Sequence, residues 1–181
     1  MRKIASESRR IIHSGGADGA DMCFQRLGIL HRWQVMAHSF HGHARGNPCR
    51  VEHSPAELAV ADPHLVRANK TLGRRFPTSN GFVNNLLRRN YYQVIDSNIV
   101  VAISRLVNGQ VAGGTAWATQ MGVDMNKPVY VFDMVSGVWH FWTGSRYKPN
   151  EPPVLTLPRA LAGVGSRDLT SAGVAAIKSL F

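Results

Sequence analysis

The sequence predicts a three-layer α/β sandwich with a mainly parallel sheet. Three observations carry this. Short apolar runs alternate with segments of helical spacing along the chain, as in a sheet covered by helices on both faces. Asn98 to Ile103 and Lys127 to Asp133 are rich in apolar residues without alternation, the pattern of strands buried on both sides. Three glycine-bearing turns each follow an apolar stretch and precede a helical one. They are Ser14-Gly15-Gly16-Ala17-Asp18-Gly19-Ala20-Asp21, Gly113-Gly114-Thr115 and Gly163-Val164-Gly165-Ser166-Arg167. Glycine lets the backbone turn tightly and lets a ligand come close. A helix start behind such a turn offers free N–H groups to an anion. Three of them together predict a nucleotide or phosphate pocket at one edge of a parallel sheet.

Taken in order, residues 2–9 read as the end of a helix or a frayed terminus, and Arg10 to His13 as a strand entering the first glycine turn. Asp18 to Leu27 has helical spacing at Ala20, Cys23, Phe24 and Leu27, and Gly28 suits its C-terminal cap. Gln34 to Ala37 reads as the next strand. Residues 38–56 hold His38, His41, His43 and His53 among Gly42, Gly46, Pro48 and Pro55, and read as a polar loop over the sheet edge with the make-up of a lid. The His-x-x-His-x-His run has no acidic or cysteine partners near it, so no metal is predicted.

Helices are predicted within 55–75 and at 80–95. In the second, Phe82, Leu86, Leu87 and Tyr91 face the core while Arg88 and Arg89 project elsewhere. A buried strand at Asn98 to Ile103 leads to Gly113-Gly114-Thr115, where Thr115 is placed to cap a helix through Val123. Lys127 to Asp133 is a central strand, and Ser136-Gly137 turns the chain into a hairpin with Val138 to Trp142. A proline-rich link, Pro149 to Pro158, precedes the last strand near Ala162. Thr170 or Ser171 then caps a final helix.

With 181 residues, 44% of them hydrophobic, the chain is long enough for one folded domain with a real core. No apolar run approaches the roughly 18 residues of a membrane helix. The basic start, Met1-Arg2-Lys3, leads into no signal-peptide core, so a cytoplasmic protein with no membrane partner is expected. Cys23 and Cys49 form neither a disulfide framework nor a metal pattern. The formal charge of +10 favours an anionic partner. Its clustered part, Arg67, Lys70, Arg74, Arg75, Arg88 and Arg89, fits a solvated helix face, a phosphate-lined pocket or a nucleic-acid surface. No recognisable RNA- or DNA-binding motif supports the last of these.

The turn Ser14 to Asp21 resembles the SGGA-x-GAD motif of the SLOG superfamily, a Rossmann-like group that includes the Lonely Guy nucleotide hydrolases and the DNA-processing protein A group. Gly165-Ser166-Arg167 resembles its GSR motif, Gly113-Gly114-Thr115 its GGT motif, and Lys127-Pro128-Val129 the strand that follows. In the usual order the GSR strand comes first; here it comes last. The chain therefore resembles a circularly permuted branch that includes proteins described as molybdenum-cofactor carriers. The resemblance implies that the last strand lies beside the strand at Ile11 and that the three turns converge on one ligand.

Nucleotide-cleaving members carry a PGG-x-GT-x-x-E motif. Aligned on its glycines, Gln120 stands in the glutamate's place, and an amide cannot serve as general base. Asp18, Asp21, Asp96 and Asp133 are other carboxylates able to take over that role.

The predicted ligand-binding residues are Ser14, Gly15, Gly16, Ala17, Asp18, Asp21, Asn90, Gly113, Gly114, Thr115, Gly165, Ser166 and Arg167. Backbone N–H groups of Gly15 to Ala17 can cradle a phosphate or only form a tight turn. Asp18 and Asp21 can accept ribose hydroxyls or favour the helix dipole. Arg167 suits a charge-assisted phosphate contact, or a salt bridge to Asp168. Asn90 and Gln93 can read a base edge or order the glycine turns. Trp117, Trp139 and Trp142 can stack on a base or fill the core.

No cofactor and no catalytic residue is assigned. The expected function is binding of a nucleotide-derived phosphate ligand, possible self-association being left open. The alternatives are a nucleotide N-glycosidase or phosphoribohydrolase and a DNA-processing-type nucleic-acid binder.

Overall fold

The computed structural model describes residues 10–155 and 160–181. The helix end expected at residues 2–9 and the link residues 156–158 lie outside them. In chain order the elements are β1 (Ile11–Ser14), α1 (Ala20–Leu30), β2 (Gln34–Phe40), β3 (Arg50–His53), α2 (Pro55–Ala59), α3 (Asp62–Leu72), α4 (Gly81–Ile95), β4 (Ile99–Ser104), β5 (Leu106–Val107), β6 (Gln110–Val111), α5 (Thr115–Asp124), β7 (Val129–Asp133), β8 (Val138–Trp142), β9 (Tyr147–Pro149), β10 (Ala160–Gly165) and α6 (Ser171–Lys178).

Eight strands form one sheet in the order β3-β2-β1-β10-β4-β7-β8-β9. The six from β3 to β7 run parallel, and β8 and β9 add an antiparallel edge. Successive side chains of a strand point to opposite faces. On β4, Val100 and Ala102 join one apolar cluster with Leu65, Leu87 and Met121, while Val101 and Ile103 join another with Phe24 and Ile177. The sheet is thus a middle layer between α1 and α6 on one side and the helices around α3, α4 and α5 on the other.

The last strand lies in the middle. β10 pairs with β1, Ile12 opposite Leu161, and with β4, Ala162 opposite Val100. The chain winds from β1 through β2 to β3 towards one edge, and from β4 to β7 towards the other. A crevice at the carboxyl ends of β1, β10 and β4 is therefore a topological switch point, where open α/β sheets bind ligands.

Several local expectations change. α1 runs on to Leu30, and Gly28 packs inside it: a Cβ there would meet Ile12 Cδ1 at 2.5 Å. The region 38–56 is not all loop, because β2 continues to Phe40 and Arg50–His53 adds the edge strand β3. Packing against α4 overrides the polar composition there. On α4, Phe82 is 50% exposed and Arg89 is buried, the reverse of the predicted faces. Thr115 does not cap α5; Gly114 is the cap residue and no side chain serves it. Thr170 does cap α6, accepting from Gly173 N–H at 3.1 Å, and the Ser136-Gly137 turn joins β7 to β8. The strand β9 had no signal in the sequence.

Candidate functional site

The three glycine turns meet. A cleft of about 380 Å³ at the switch point is lined by Ala17 and Asp21 from the first turn, Gly113 to Thr115 from the second and Gly165 to Arg167 from the third. The first and third turns touch through their backbones. Gly19, at φ +85°, lies where a Cβ would stand 2.3 Å from the Arg167 carbonyl oxygen. Ala20 N–H donates to Ser166 O at 3.0 Å, and Ser166 N–H to Ile103 O at 2.8 Å. Gly165 is held equally close between Ala20 and Ile103. Packing alone thus accounts for Gly19 and Gly165. It does not account for Gly114, which has an ordinary φ of −64° and nothing within 4 Å of a Cβ. It leaves the cleft open beside the start of α5.

Beneath the first turn lies a buried polar network. Arg89 of α4 passes under Gly15, its Nη1 1.3 Å from where a Cβ at that residue would be. The same Nη1 is 3.7 Å from Asp21 Oδ2, and both side chains are more than nine-tenths buried. The Gln93 amide, oriented by its partners, accepts from Gly15 N–H and from Arg89 Nη1 at 3.1 Å and donates to Asn90 Oδ1 at 2.9 Å. Burial pushes the Asp21 carboxyl up, against the pull of Arg89 and of the N–H groups of Ala17, Gly165 and Gly15. Burial lowers Arg89, although a guanidinium keeps its proton in proteins. Arg89 Nε has no partner among the described residues. The cleft floor is therefore a buried Arg89–Asp21 pair with one guanidinium N–H left without a partner among the described residues.

Above it, Arg105 and Arg167 are exposed and line the cleft, and neither side chain makes a hydrogen bond or ion pair among the described residues. The predicted Arg167–Asp168 bridge does not form. Arg74 clamps the second turn, donating to the carbonyls of Gly113 and, at 3.1 Å, Val111. The opposite wall is apolar: Val83, Leu86 and Leu87 from α4. The remaining predicted basic cluster lies elsewhere. Arg67, Lys70 and Arg75 are exposed, and Arg88 pairs with Asp62 at 2.6 and 2.8 Å.

Nine of the thirteen predicted residues line the cleft: Ala17, Asp21, Asn90, Gly113, Gly114, Thr115, Gly165, Ser166 and Arg167. Ser14 is fully buried, its hydroxyl donating to Asp21 O at 3.2 Å. The Gly15 N–H is engaged by Gln93 and is not free for a ligand. Gly16 and Asp18 face an adjoining cavity. Asp21 is committed to Arg89 and Ala17 N–H rather than open to a hydroxyl. Ser166 Oγ accepts from Asp168 N–H at 3.1 Å, closing its own turn. Trp117 and Trp139 are core, and Trp142 lines a separate cavity behind α5.

Gln120 lies in that same separate cavity, its amide donating to Asp124 Oδ1 at 2.8 Å. The motif alignment placed it at the reacting centre; the turn of α5 carries it away, and Thr115 and Ala118 face the cleft instead. Gln120 is thus no guide to turnover there. Asp133 is spent on the N–H groups of Leu106, Val135 and Ser136 and the Ser136 hydroxyl, and Asp96 ends α4 without lining the cleft.

From the sequence, Arg89 is given a role only within the basic cluster, with a phosphate-lined pocket as one of its readings, and Arg105 is not named at all. Arg89 reads as one of a run of cations; its place next to Asn90 and four residues before Gln93 is not a signal of burial. The sequence reading also misses what the histidines do. His13, His38 and His53, from β1, β2 and β3, form a buried chain: His13 Nδ1 to His38 Nε2 is 3.0 Å and His38 Nδ1 to His53 Nε2 is 2.9 Å. Tyr92 of α4 stacks on His53 with ring centroids 3.7 Å apart. Stacked rings do not converge on a point, and among the described residues no group of three or more His, Cys, Asp or Glu is placed to hold a metal ion. No helix among them is long and apolar enough to cross a membrane.

Compared with protein-family models, curated proteins and solved structures, the chain matches none.

Proposed function

We propose that this protein binds a nucleotide-derived, phosphate-containing small molecule in the cleft and sequesters, carries or senses it. The observation that carries this is the buried Arg89, its Nε without a partner among the described residues, beneath a glycine turn, with Arg105 and Arg167 above it, whose side chains also have none among those residues. An anion among them would complete the charge balance and reach the uncapped start of α5. Val83, Leu86 and Leu87 offer a planar ring an apolar wall, and Asn90 at its edge offers hydrogen bonds. The resemblance of the three turns to the SLOG superfamily, and the last strand lying beside the first as a permuted order requires, support the same reading. An ADP-ribose-like molecule or a cyclic nucleotide signal falls within this class, as does a cytoplasmic setting.

The experiment is calorimetry with nucleoside monophosphates, NAD, ADP-ribose and cyclic nucleotides, followed by chromatography of the recovered ligand. Binding with intact ligand is expected. Arg167→Ala should weaken it by about 1.5–3 kcal/mol, the range for a hydrogen bond to a charged group. Rapid release of free base would replace binding by a hydrolase. Absence of heat with every ligand, together with no phosphate compound released on denaturing the purified protein, would overturn the proposal.

A further inference from the structure

The cleft continues. Past the first glycine turn lies a second cavity of about 450 Å³ that shares Ala17 and Arg167 with it. Its outer wall is the connection 41–49, a segment pinned at several points. Ser39 Oγ donates to His43 O at 2.7 Å, and Asn47 N–H donates to Ala44 O at 3.2 Å. The Asn47 amide reaches α1, donating to Gln25 Oε1 at 2.8 Å, and its oxygen accepts from Cys49 N–H at 2.9 Å. The wall also meets the glycine turn directly: a Cβ at Gly16, where φ is +68°, would stand 3.3 Å from Ala44 Cβ and 3.4 Å from Asn47 Nδ2. The second cavity is therefore built by the fold.

The two cavities differ in chemistry. The cleft has an apolar wall on α4. The second cavity presents Asp18, Arg45 and Asn47, with the backbone of Gly16 and Gly46 between them. Arg45 is exposed and makes no hydrogen bond or ion pair among the described residues. His43, also in this wall, is kept neutral, its imidazole lowered to about 4 by burial and then by the positive fields of Arg89, Arg50 and Arg167. Burial disfavours a charge of either sign there, but the part of the shift that comes from the three guanidiniums is a positive field, which favours an anion. At about 380 Å³ the cleft alone lies near the lower end of the roughly 300–1,000 Å³ that enclose a small-molecule ligand.

Resting on the phosphate-ligand reading above, we propose that the ligand has two arms joined by a phosphate group at Arg167. Its ring arm lies against Val83, Leu86 and Leu87. Its second arm, polar and carrying hydroxyl or phosphate groups, enters the cavity of Asp18, Arg45 and Asn47. The chemical class is a nucleoside diphosphate extended by a further polar group, in preference to a monophosphate.

Calorimetric titration of AMP, ADP and ADP-ribose into the full chain tests this, with Arg45→Ala and Arg167→Ala variants alongside. ADP-ribose should bind at least about tenfold more tightly than AMP, with ADP between them. Arg45→Ala should remove most of that advantage and leave the AMP affinity within about twofold, whereas Arg167→Ala should weaken all three. Arg45 is exposed, so its replacement leaves the fold intact. If AMP binds as tightly as ADP-ribose, or Arg45→Ala leaves ADP-ribose unaffected, the second arm is wrong and the cleft reading survives. If none of the three binds, the two-armed ligand falls, and the cleft reading is then decided by the wider ligand panel and the denaturation test above.

Discussion

At position 15 the Arg89 guanidinium occupies the space in which a Cβ would stand, whereas at position 114 that space is empty. The two glycines sit in similar turns and serve opposite ends. Gly15→Ala must displace a buried cation from Asp21 and Gln93, and breaking a buried pair costs about 3–5 kcal/mol. Gly114→Ala has an accessible φ and no clash, so it should stabilise slightly, by about 0.4–1 kcal/mol, while weakening a ligand at the start of α5. Urea denaturation of both variants checks the contrast, and equal stability losses would refute it.

The histidine chain sets a pH dependence. Burial lowers His38 to about 3, helped by His13, His53 and Arg89. Burial also lowers His13, where Asp96 raises and Lys127 lowers it, and His53, which Glu57 pulls upward. These imidazoles are neutral in the fold and take up protons on unfolding. Their contribution is therefore complete above the unfolded value of about 6.5 and is lost as pH falls towards the folded values. His38 alone should remove about 2 kcal/mol by pH 5. Urea midpoints between pH 8 and 4.5 measure this, and His38→Gln should flatten the slope. A wild-type midpoint unchanged from pH 7 to 4.5 would show the chain is not coupled to folding.

Helix α4 is the element on which the site depends. One face stacks Tyr92 on the histidines, another lines the cleft with Val83, Leu86 and Leu87, and between them Arg89 and Gln93 reach under the first glycine turn. The sequence located this helix at 80–95; in the structure Asn80 stands before it as its cap, accepting from Val83 N–H at 3.1 Å. The sequence could not orient it: Phe82 and Arg89 both have helical spacing compatible with either face. What buries Arg89 is Asp21, some seventy residues earlier, and no local rule connects the two. Gln93→Leu should remove the amide oxygen that accepts from Gly15 N–H and from Arg89 and cost about 1–3 kcal/mol, with a larger proportional loss of ligand affinity than of stability. A thermal melt and a titration on one sample separate these, and an unchanged affinity would show that Gln93 does not shape the turn for binding.

At the scale of the whole molecule, the strand made last in the sequence is central in the sheet, between β1 and β4. A chain ending at residue 159 would lose the strand that joins the two halves of the parallel sheet and would expose both apolar clusters. It should show no cooperative thermal transition by circular dichroism; a sharp transition near that of the full chain would mean the halves fold without β10.

The sequence by itself determined the class of fold, the strands at β1, β4, β7 and β10, and the three glycine turns. These are written in local patterns: apolar runs, glycine followed by helical spacing, and a hydroxyl cap at Thr170 or Ser171. The sequence also expected the three turns to meet, as they do; only the tertiary structure decided that Gly15 and Asp21 serve Arg89, that Gln120 points into another cavity and that His13, His38 and His53 line up beneath Tyr92. The reason is physical. A residue's local pattern fixes the path of its own backbone, but burial, charge balance and the direction of a side chain are fixed by partners brought together from distant parts of the chain.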